Sequence, residues 1–304
     1  GFVIAYSIRH YTINLRFMLS FFLKRSIRLD PPYWATLLIL LTLSFIATFL
    51  KENSAPFPSS YEILVNVFYL PEFLDVSRIL PVSWTLSLEI QFYLFFILMV
   101  KLLQDINSKF SKENTRLLTL PALSVVFLFM VISILQNTSY GLMPNNPGLF
   151  VYKWYSFMIG ALICWKMLNI ISSNFFWLNL GIISFFALFH EPNAIETCVI
   201  AAFLYGMASR DKMHSYLVSP IFQYLGKISY SLYLIHWAIG LKFISFTMNF
   251  IDLSKLHSAT PYLLIAIALV MTIIAADLFY RVIEQPSLYL SQKISQLKKQ
   301  EISI

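Results

Sequence analysis

Five polar side chains fall within nine residues at the start of a long apolar stretch, where a helix facing lipid would carry none. They are Ser83, Thr85, Ser87, Glu89 and Gln91. On a helix that begins near residue 83, Glu89 lies roughly 8 to 10 Å beyond the first residue. A carboxylate at that depth needs a proton or a paired cation, and enzymes prepare a general acid or base in this way. The alternative is a structural carboxylate that holds two helices together.

Two arginines three residues apart precede the first long apolar stretch. On a helical turn Arg25 and Arg28 share one face, and each guanidinium group offers several donors to phosphate oxygens. The pair is suited to the phosphates of a nucleotide or coenzyme. A positively charged anchor for lipid headgroups is the alternative. The neighbouring Pro31-Pro32 pair argues somewhat against a simple anchor, because it fixes the direction of the chain.

A third set of polar residues lies at the start of another apolar stretch, within Gly226–Trp237. Ser229, Tyr233 and His236 are spaced four and three residues apart, which places them on one helical face directed at the bundle interior. A neutral imidazole at this depth can accept or relay a proton. The alternative is that His236 is a structural core residue whose hydrogen bonds are satisfied within the bundle.

A fourth cluster closes the last apolar stretch. Arg281 can pair with Asp277 four residues earlier or with Glu284 three residues later. Because such pairing accounts for all three charges, we expect this cluster to be structural.

The composition requires a membrane protein. Of 304 residues, 58% are apolar and 12% are charged, and the mean hydropathy is +0.71. Ordinary soluble domains are about one quarter charged. The two cysteines, Cys164 and Cys198, lie far apart in apolar stretches, which excludes a disulfide framework and a CxxC metal site. We therefore expect no metal and no redox chemistry.

We expect an all-α fold, a polytopic bundle of eight transmembrane helices that forms a single domain over residues 1–304. A spanning helix needs roughly 20 mostly apolar residues. Gly1–Ile8 is typical of the tail of a further apolar segment, and with another helix before it the intact protein would have about ten spans. The expected spans are 33–50, 83–103, 117–136, 152–169, 175–190, 194–209, 228–248 and 261–281.

Basic residues set the expected orientation. If the segment before residue 33 is cytoplasmic, seventeen of the 22 Lys and Arg residues collect on the cytoplasmic side, and the C-terminus is cytoplasmic too. The start of the span at 83 then lies on the outer side, and the start of the span at 228 on the inner side. Residues 58–80 are apolar but interrupted by Pro71, which predicts an interfacial or re-entrant element.

In order and spacing, these motifs resemble those of the acyltransferase 3 family, integral membrane enzymes that O-acylate surface glycans and lipids, such as O-antigen acetylases. Arg25-x-x-Arg28-x-x-Pro31 is similar to that family's RxxRxxP motif. Gly226–His236 resembles its G-K-x-S-Y-S-x-Y-L-x-H signature. The other matching stretches are Gly1–Ile4, Ser83–Tyr93, Phe157–Ala161 and Glu284–Pro286.

The resemblance implies an acyltransferase that moves an acyl group, in the first instance acetyl, from acyl-CoA to a hydroxyl of a surface carbohydrate or lipid-linked glycan. It implies donor phosphates on Arg25 and Arg28, and proton transfer by Glu89 and His236. Substrate contacts would come from Trp84, Ser229 and Tyr233. Acyl-CoA would act as donor substrate with no tightly bound cofactor, membrane lipid would surround the protein, and no nucleic acid would be bound.

The family places its proposed catalytic histidine in a first helix, ten residues after an arginine, and this chain has no match for that pair. His10 follows Arg9 directly in an expected cytoplasmic loop, so it is not a substitute. We therefore expect either a fragment of an acyltransferase, with further sequence before Gly1, or a degenerate member. The resemblance and the charge bias both favour a bacterial inner membrane.

Two other classes of function remain open. A transporter or flippase would use Glu89, His236 and Asp277 as a proton path, although no inverted repeat is visible in the two halves of the chain. A non-catalytic subunit or remnant is the third hypothesis.

Overall fold

The computed structural model of the protein describes residues 1–50, 56–111, 117–138, 148–189, 194–210, 218–248 and 260–302. Every regular element in these ranges is helical, as expected. The α-helices are α1 (Phe2–Ile8), α2 (Leu15–Leu50), α3 (Ser60–Val67), α4 (Pro71–Leu74), α5 (Trp84–Phe110), α6 (Leu120–Gln136), α7 (Trp154–Met167), α8 (Ser173–Phe189), α9 (Ala194–Ser209), α10 (Pro220–Lys227), α11 (Ser229–His236), α12 (Lys242–Met248), α13 (Thr260–Phe279) and α14 (Gln285–Ile302).

Helices follow the expected spans, but their lengths differ. In the described ranges, three helical segments are long and apolar enough to cross a membrane: Leu15–Phe49, Pro81–Phe110 and Thr260–Lys293. The helices over Leu120–Gln136, Ser173–Phe186 and Ala194–Ser209 are apolar but shorter. The turn predicted at 190–193 lies outside the described residues.

Helix α2 begins well before the expected span at 33–50. It is 36 residues long and continues through Pro31 and Pro32, so the helix itself does not begin at the proline pair. Proline removes one backbone hydrogen bond but is tolerated in apolar helices when neighbouring groups compensate. Consequently Arg25 and Arg28 lie inside a continuous helix.

The chain divides into two compact units. Unit 1 comprises Gly1–Leu19 and Thr85–Val218, and unit 2 comprises Ser20–Trp84 and Ser219–Ile304. In unit 1, α1 packs on α7, and α7 also packs on α6, α8 and α9. The centre of this packing is Trp154, whose ring meets Phe92 at 5.4 Å and Phe95 at 5.0 Å between centroids.

Small residues let α1 and α7 approach closely. A Cβ atom added at Gly160 would lie 2.8 Å from the backbone nitrogen of Phe2, and one at Gly1 would lie 1.7 Å from the carbonyl oxygen of Phe157. Close backbone contact at small residues is a common means of packing membrane helices. This contact gives a structural reason for the glycine in the Phe157–Ala161 stretch.

In unit 2, the chain folds back along α2 after the helix ends. Phe57 contacts Phe45 with ring centroids 6.0 Å apart, Val67 O accepts from Trp34 Nε1 at 3.2 Å, and Tyr69 Oη reaches Asp30. Residues 57–69 therefore descend past fifteen residues of α2, a distance of roughly 22 Å at 1.5 Å per residue. This geometry favours the re-entrant alternative for the 58–80 segment.

Asn66 holds the re-entrant segment together from inside. It is fully buried. Its Nδ2 donates to Glu62 O at 2.9 Å and Ser77 O at 3.0 Å, while its Oδ1 accepts from Ile79 N at 3.0 Å. Its own carbonyl accepts from Tyr33 Oη at 2.8 Å. The Asn66 side chain thus satisfies the backbone groups of Ser77 and Ile79, and the Asn66 carbonyl links the segment to Tyr33 of α2.

Replacement of Asn66 by alanine should destabilise unit 2. The change leaves Ser77 O and the Ile79 amide without their partner, and an unsatisfied buried polar group costs about 1 to 3 kcal/mol. We expect a lower thermal unfolding midpoint in detergent. The control is Asn174→Ala at an exposed position of α8, and equal midpoints for the two variants would contradict the role of Asn66.

The first turn of α3 should depend on pH. Ser59 and Glu62 form a capping box in which the Ser59 amide and hydroxyl donate to Glu62 Oε2 at 2.7 and 2.9 Å. These bonds hold the pKa of Glu62 below its ordinary value of 4.5. The stabilisation is therefore complete above pH 4.5 and is lost as the pH falls through the lowered pKa.

The Glu62→Gln variant tests this pH dependence. Wild type should lose more of its thermal midpoint than the variant when the pH is lowered from about 6 to about 3.5, because only the wild type has this carboxylate to protonate. Identical pH responses of the two proteins would contradict the prediction.

Candidate active site

Two tyrosine hydroxyl groups of α11 fasten this helix to backbone carbonyl groups elsewhere in unit 2. Tyr230 Oη donates to Leu29 O of α2 at 2.9 Å. Tyr233 Oη donates to Val82 O at 2.6 Å, in the 3-10 turn Pro81–Ser83 that precedes α5. The residues of three sequence motifs therefore meet in one place.

This meeting corrects one expectation. The start of the span at 83 was expected on the outer side, and the start of the span at 228 on the inner side. Val82 and Tyr233 are in hydrogen-bond contact, so these two segments do not lie on opposite sides. The cause is the re-entrant segment, which returns the chain along α2 before α5 begins.

Tyr69 joins the re-entrant segment to the same part of α2. Its ring stacks on Tyr33 at 4.3 Å, and its hydroxyl donates to Asp30 Oδ1 at 3.1 Å. Its φ of 60° lies in the left-handed region, which is costly for a bulky residue and persists only where contacts determine it. Burial raises the pKa of Tyr69, so its hydroxyl remains a neutral donor.

The two arginines of α2 differ in exposure. Arg28 is exposed. Arg25 is half-buried, and its guanidinium carbon lies 5.3 Å from the centre of the Phe21 ring, within the range of a cation–π contact. Both lie within two turns of Asp30, next to the segment that α11 contacts.

His236 presents one ring nitrogen as a base. Its Nδ1 lies 2.5 Å from the carbonyl oxygen of Tyr233. A carbonyl can only accept, so Nδ1 is the donor in this bond, and in the neutral tautomer Nε2 is the nitrogen that can accept a proton. The helix changes to a π turn, Trp237–Leu241, directly after this residue, and π turns often occur at functional sites.

Ser229 departs from the expected arrangement. Tyr233 and His236 are both half-buried, but Ser229 is exposed, and its hydroxyl donates to Gly226 O at 2.9 Å. The expectation that it shares an interior face with the other two is wrong, because Ser229 is the first residue of α11 and caps the preceding turn. Trp84, the first residue of α5, is half-buried in the same unit.

Glu89 belongs to unit 1. It is half-buried and accepts a hydrogen bond from Tyr93 one turn further along α5. Its neighbour Gln91 has a structural role, since it donates to Gly148 O at 2.9 Å and accepts from Phe150 N at 3.0 Å. Gln91 therefore fixes the chain that leads into α7.

The charges of the fourth cluster separate into two groups. Arg281 pairs with Asp277 at 2.8 Å. Glu284 instead bonds across 53 residues to the backbone and hydroxyl of Ser231. Residue spacing did not indicate Ser231 and Tyr230 as partners, although both lie within the Gly226–Trp237 stretch.

Comparison with known proteins identifies the family. The model of a family described as an acyltransferase domain matches residues 1–281, which is most of the chain. The chain belongs to the acyltransferase 3 family. The fold is thus that of an integral membrane protein of this acyltransferase family, as the motif order indicated.

Relatives of this acyltransferase 3 chain are found in Staphylococcus aureus. Proteins provisionally named as O-acetyltransferases in strains COL and MSSA476 are each 26% identical to it over 309 residues, which cover 88% of this chain. The match covers 47% of each relative, so the chain spans about half the length of the curated relatives. No solved structure matches.

Removal of one hydroxyl should loosen the link between α11 and the start of α5 in this acyltransferase 3 chain. Tyr233→Phe deletes the bond to Val82 O and keeps the ring. A hydrogen bond contributes about 0.5 to 1.5 kcal/mol, so amide exchange at Ser83 and Trp84 should accelerate by up to about tenfold. Exposed Tyr289→Phe is the control, and unchanged exchange in Tyr233→Phe would show that the bond contributes nothing.

Proposed function

We propose that this protein transfers an acyl group from acyl-CoA to a hydroxyl group of a surface glycan or lipid-linked saccharide. The observation that carries the proposal is the convergence in unit 2 of the α2 arginine segment, the first turns of α11 and the turn before α5. These are three of the motifs that the family resemblance links to donor and acceptor. The names of the relatives favour acetyl as the acyl group.

Arg28, with Arg25 one turn away, would hold the donor. A coenzyme A thioester carries several phosphate groups, and exposed Arg28 offers a guanidinium fork to such oxygens. Arg25 is held against Phe21 and is oriented by that contact. The donor is a soluble cytoplasmic molecule, so this part of α2 would face the cytoplasm, and the five basic residues from Arg9 to Arg28 favour the same side.

The reaction balances without a further reactant. The acceptor hydroxyl oxygen attacks the thioester carbonyl, the new ester C–O bond forms, and the C–S bond breaks. The hydroxyl proton leaves through a base and reaches the departing thiolate, which is released as free coenzyme A. The family resemblance assigns proton transfer to His236 and to Glu89, and Trp84, Ser229 and Tyr233 remain the proposed substrate contacts.

The acceptor and the location complete the proposal. We infer a bacterial inner membrane, a cytoplasmic C-terminus, and an acceptor such as lipopolysaccharide or another surface polysaccharide, because the resemblance of the motifs to those of the acyltransferase 3 family implies them. The rival hypothesis is a transporter with a proton path through Glu89, His236 and Asp277. The pairing of Asp277 with Arg281 on its own helix disfavours this path.

Substitution of the two arginines tests the donor site. Arg25→Ala and Arg28→Ala should each raise the apparent KM for acetyl-CoA by roughly tenfold with little change in kcat, because a charge-assisted bond to phosphate is lost. The assay follows radiolabelled acetyl groups from acetyl-CoA into the glycan and lipid fractions of membranes that contain the protein expressed from its complete gene.

The control is Arg16→Ala, an exposed arginine on the same helix, which should leave donor saturation unchanged. Unaltered saturation in both Arg25→Ala and Arg28→Ala would refute the phosphate site. Absence of label transfer by the wild type from any short-chain acyl-CoA would refute the acyltransferase proposal itself.

A further inference from the structure

The helix that carries Tyr233 and His236 is held at its start by a buried acid. Glu284 is 2% exposed, and its Oε2 accepts both the backbone amide of Ser231 at 3.0 Å and the Ser231 hydroxyl at 2.5 Å. Ser231 is the third residue of α11, and its amide is one of those that lack a carbonyl partner within the helix. Glu284 therefore caps the start of α11 from another part of the chain. The bonds between Glu284 and Ser231 are the first contact.

A π turn places Glu284 for the first contact. It comprises Tyr280–Glu284, between α13 and α14, and Pro286 follows it. In a regular helix the proline ring would clash with the carbonyl of Val282, and a widened turn relieves this clash. The position of Glu284 two residues before Pro286 thus has a conformational reason.

Gly240 and Thr272 form a second contact, shortly after His236. A Cβ atom added at Gly240 would lie 2.8 Å from Thr272 Oγ1, a distance at which one of the two groups must move. Thr272 is buried, and its hydroxyl donates to Ala268 O at 2.6 Å, so the oxygen would lose this bond if it moved aside. The lack of a side chain at Gly240 is therefore what lets the two helices meet here.

A second π turn brings the two contacts to one side of the helix. Nine residues lead from Ser231 to Gly240. In a regular α-helix that is roughly two and a half turns, so the two residues would lie on opposite faces. Gly240 lies in the π turn Trp237–Leu241, which takes up an extra residue and so rotates Gly240 toward the face of Ser231. His236 is the residue directly before this turn.

Both contacts belong to one line of buried residues on α13 and the π turn that follows it. Ala276 and Tyr280, which lie between the two contacts, form an apolar cluster with Ile228, the residue before α11. Helix α11 is thus packed along α13, and His236 lies between its two contacts. The residues of the line are four apart: Ala268, Thr272, Ala276, Tyr280 and Glu284.

We infer that these two contacts position the imidazole of His236, so that Gly240, Thr272 and Glu284 are positioning residues of the acyl transfer. The inference rests on the proposed function, because it concerns the histidine to which the family resemblance assigns proton transfer. The bond from Nδ1 to Tyr233 O holds the ring on α11, so the orientation of this helix sets the direction of Nε2. A displacement of about 1 Å in a reacting group can lower a rate about a hundredfold.

The Gly240→Ala variant tests the second contact in the assay with radiolabelled acetyl-CoA. Its added methyl group meets Thr272 Oγ1, so the helix must shift, and kcat should fall roughly ten- to hundredfold. The KM for acetyl-CoA should stay within about twofold, because the arginines of the donor site lie on α2. Gly181→Ala on α8, where an added Cβ meets nothing within 4 Å, is the control. A kcat equal to that of Gly181→Ala would overturn the inference.

Changes at Thr272 show whether the loss comes from this contact. In the pair Gly240→Ala/Thr272→Ala the oxygen is gone, and the Cβ of residue 272 lies 4.0 Å from the new methyl group. The kcat of this pair should therefore return to within about threefold of Thr272→Ala alone. In the pair Gly240→Ala/Thr272→Val a methyl group replaces the oxygen, and kcat should not recover. Recovery in both pairs, or in neither, would overturn the inference.

The Ser231→Ala variant tests the first contact without adding an atom, and it keeps the inference testable if Gly240→Ala does not fold. It deletes one of the two bonds to Glu284, so kcat should fall roughly two- to fivefold. The matched control is Ser287→Ala, which deletes a buried serine hydroxyl that donates to Ile283 O one turn earlier in the chain. Equal kcat in the two serine variants would overturn the inference.

A measurement without activity separates this inference from the proposed function. The ring nitrogens of His236 give NMR signals in protein with isotope-labelled histidine, and their loss in His236→Gln assigns them. Gly240→Ala should shift these signals, and the pair with Thr272→Ala should restore them, because the Nδ1 bond reports the surroundings of the ring. If wild type transfers no acyl group, the proposed function fails, and the signals still decide the inference. Unmoved signals in Gly240→Ala would show that the second contact does not position His236.

Discussion

Asn66 satisfies the constraint on which the arrangement of unit 2 depends. Non-helical backbone that lies against an apolar helix cannot bond to water, so protein groups must satisfy it. Asn66 does this for Ser77 O and the Ile79 amide, and its own carbonyl accepts from the Tyr33 hydroxyl. Because these groups are satisfied, the chain can return along α2 before α5 begins. Without that return, Val82 would not meet Tyr233.

Tyrosine hydroxyl groups make the long-range connections in this unit. Tyr33, Tyr230 and Tyr233 each donate to a backbone carbonyl of a segment distant in sequence. A tyrosine suits this task, since its ring packs against apolar neighbours while its hydroxyl reaches a polar atom at the end. The contacts are short and directional, and they fix α11 against α2 and against the turn before α5. The hydrogen bonds of Tyr230 and Tyr233 therefore determine where His236 lies relative to the arginines of α2.

Apolar length predicted the helices, because a run of about 20 apolar residues has few other structures available to it. Local spacing also predicted the Asp277–Arg281 pair, which the structure contains. The return of residues 57–69 was not predictable in the same way. Its direction is set by contacts such as Tyr33 with Asn66, 33 residues apart, whereas turn residues indicate only that a turn occurs. The continuation of α2 through Pro31 and Pro32 was not predictable for a similar reason, since propensity alone does not reveal whether neighbours compensate for a lost hydrogen bond.

Glu284 shows why charge spacing along one helix is an incomplete guide in such a protein. The rule that residues three and four apart interact offers Glu284 only Arg281, yet the π turn before Pro286 rotates the acid away from its own helix and toward Ser231. A buried carboxylate is costly unless it is hydrogen-bonded, and Ser231 supplies the hydrogen bonds here. The geometry gives the reason for an acid at this position. Glu284 is 2% exposed, and its carboxylate bonds to Ser231, the third residue of the helix that ends at His236. An acid placed there fixes the first turn of α11 against the π turn between α13 and α14, although Glu284 lies 53 residues further along the chain than Ser231.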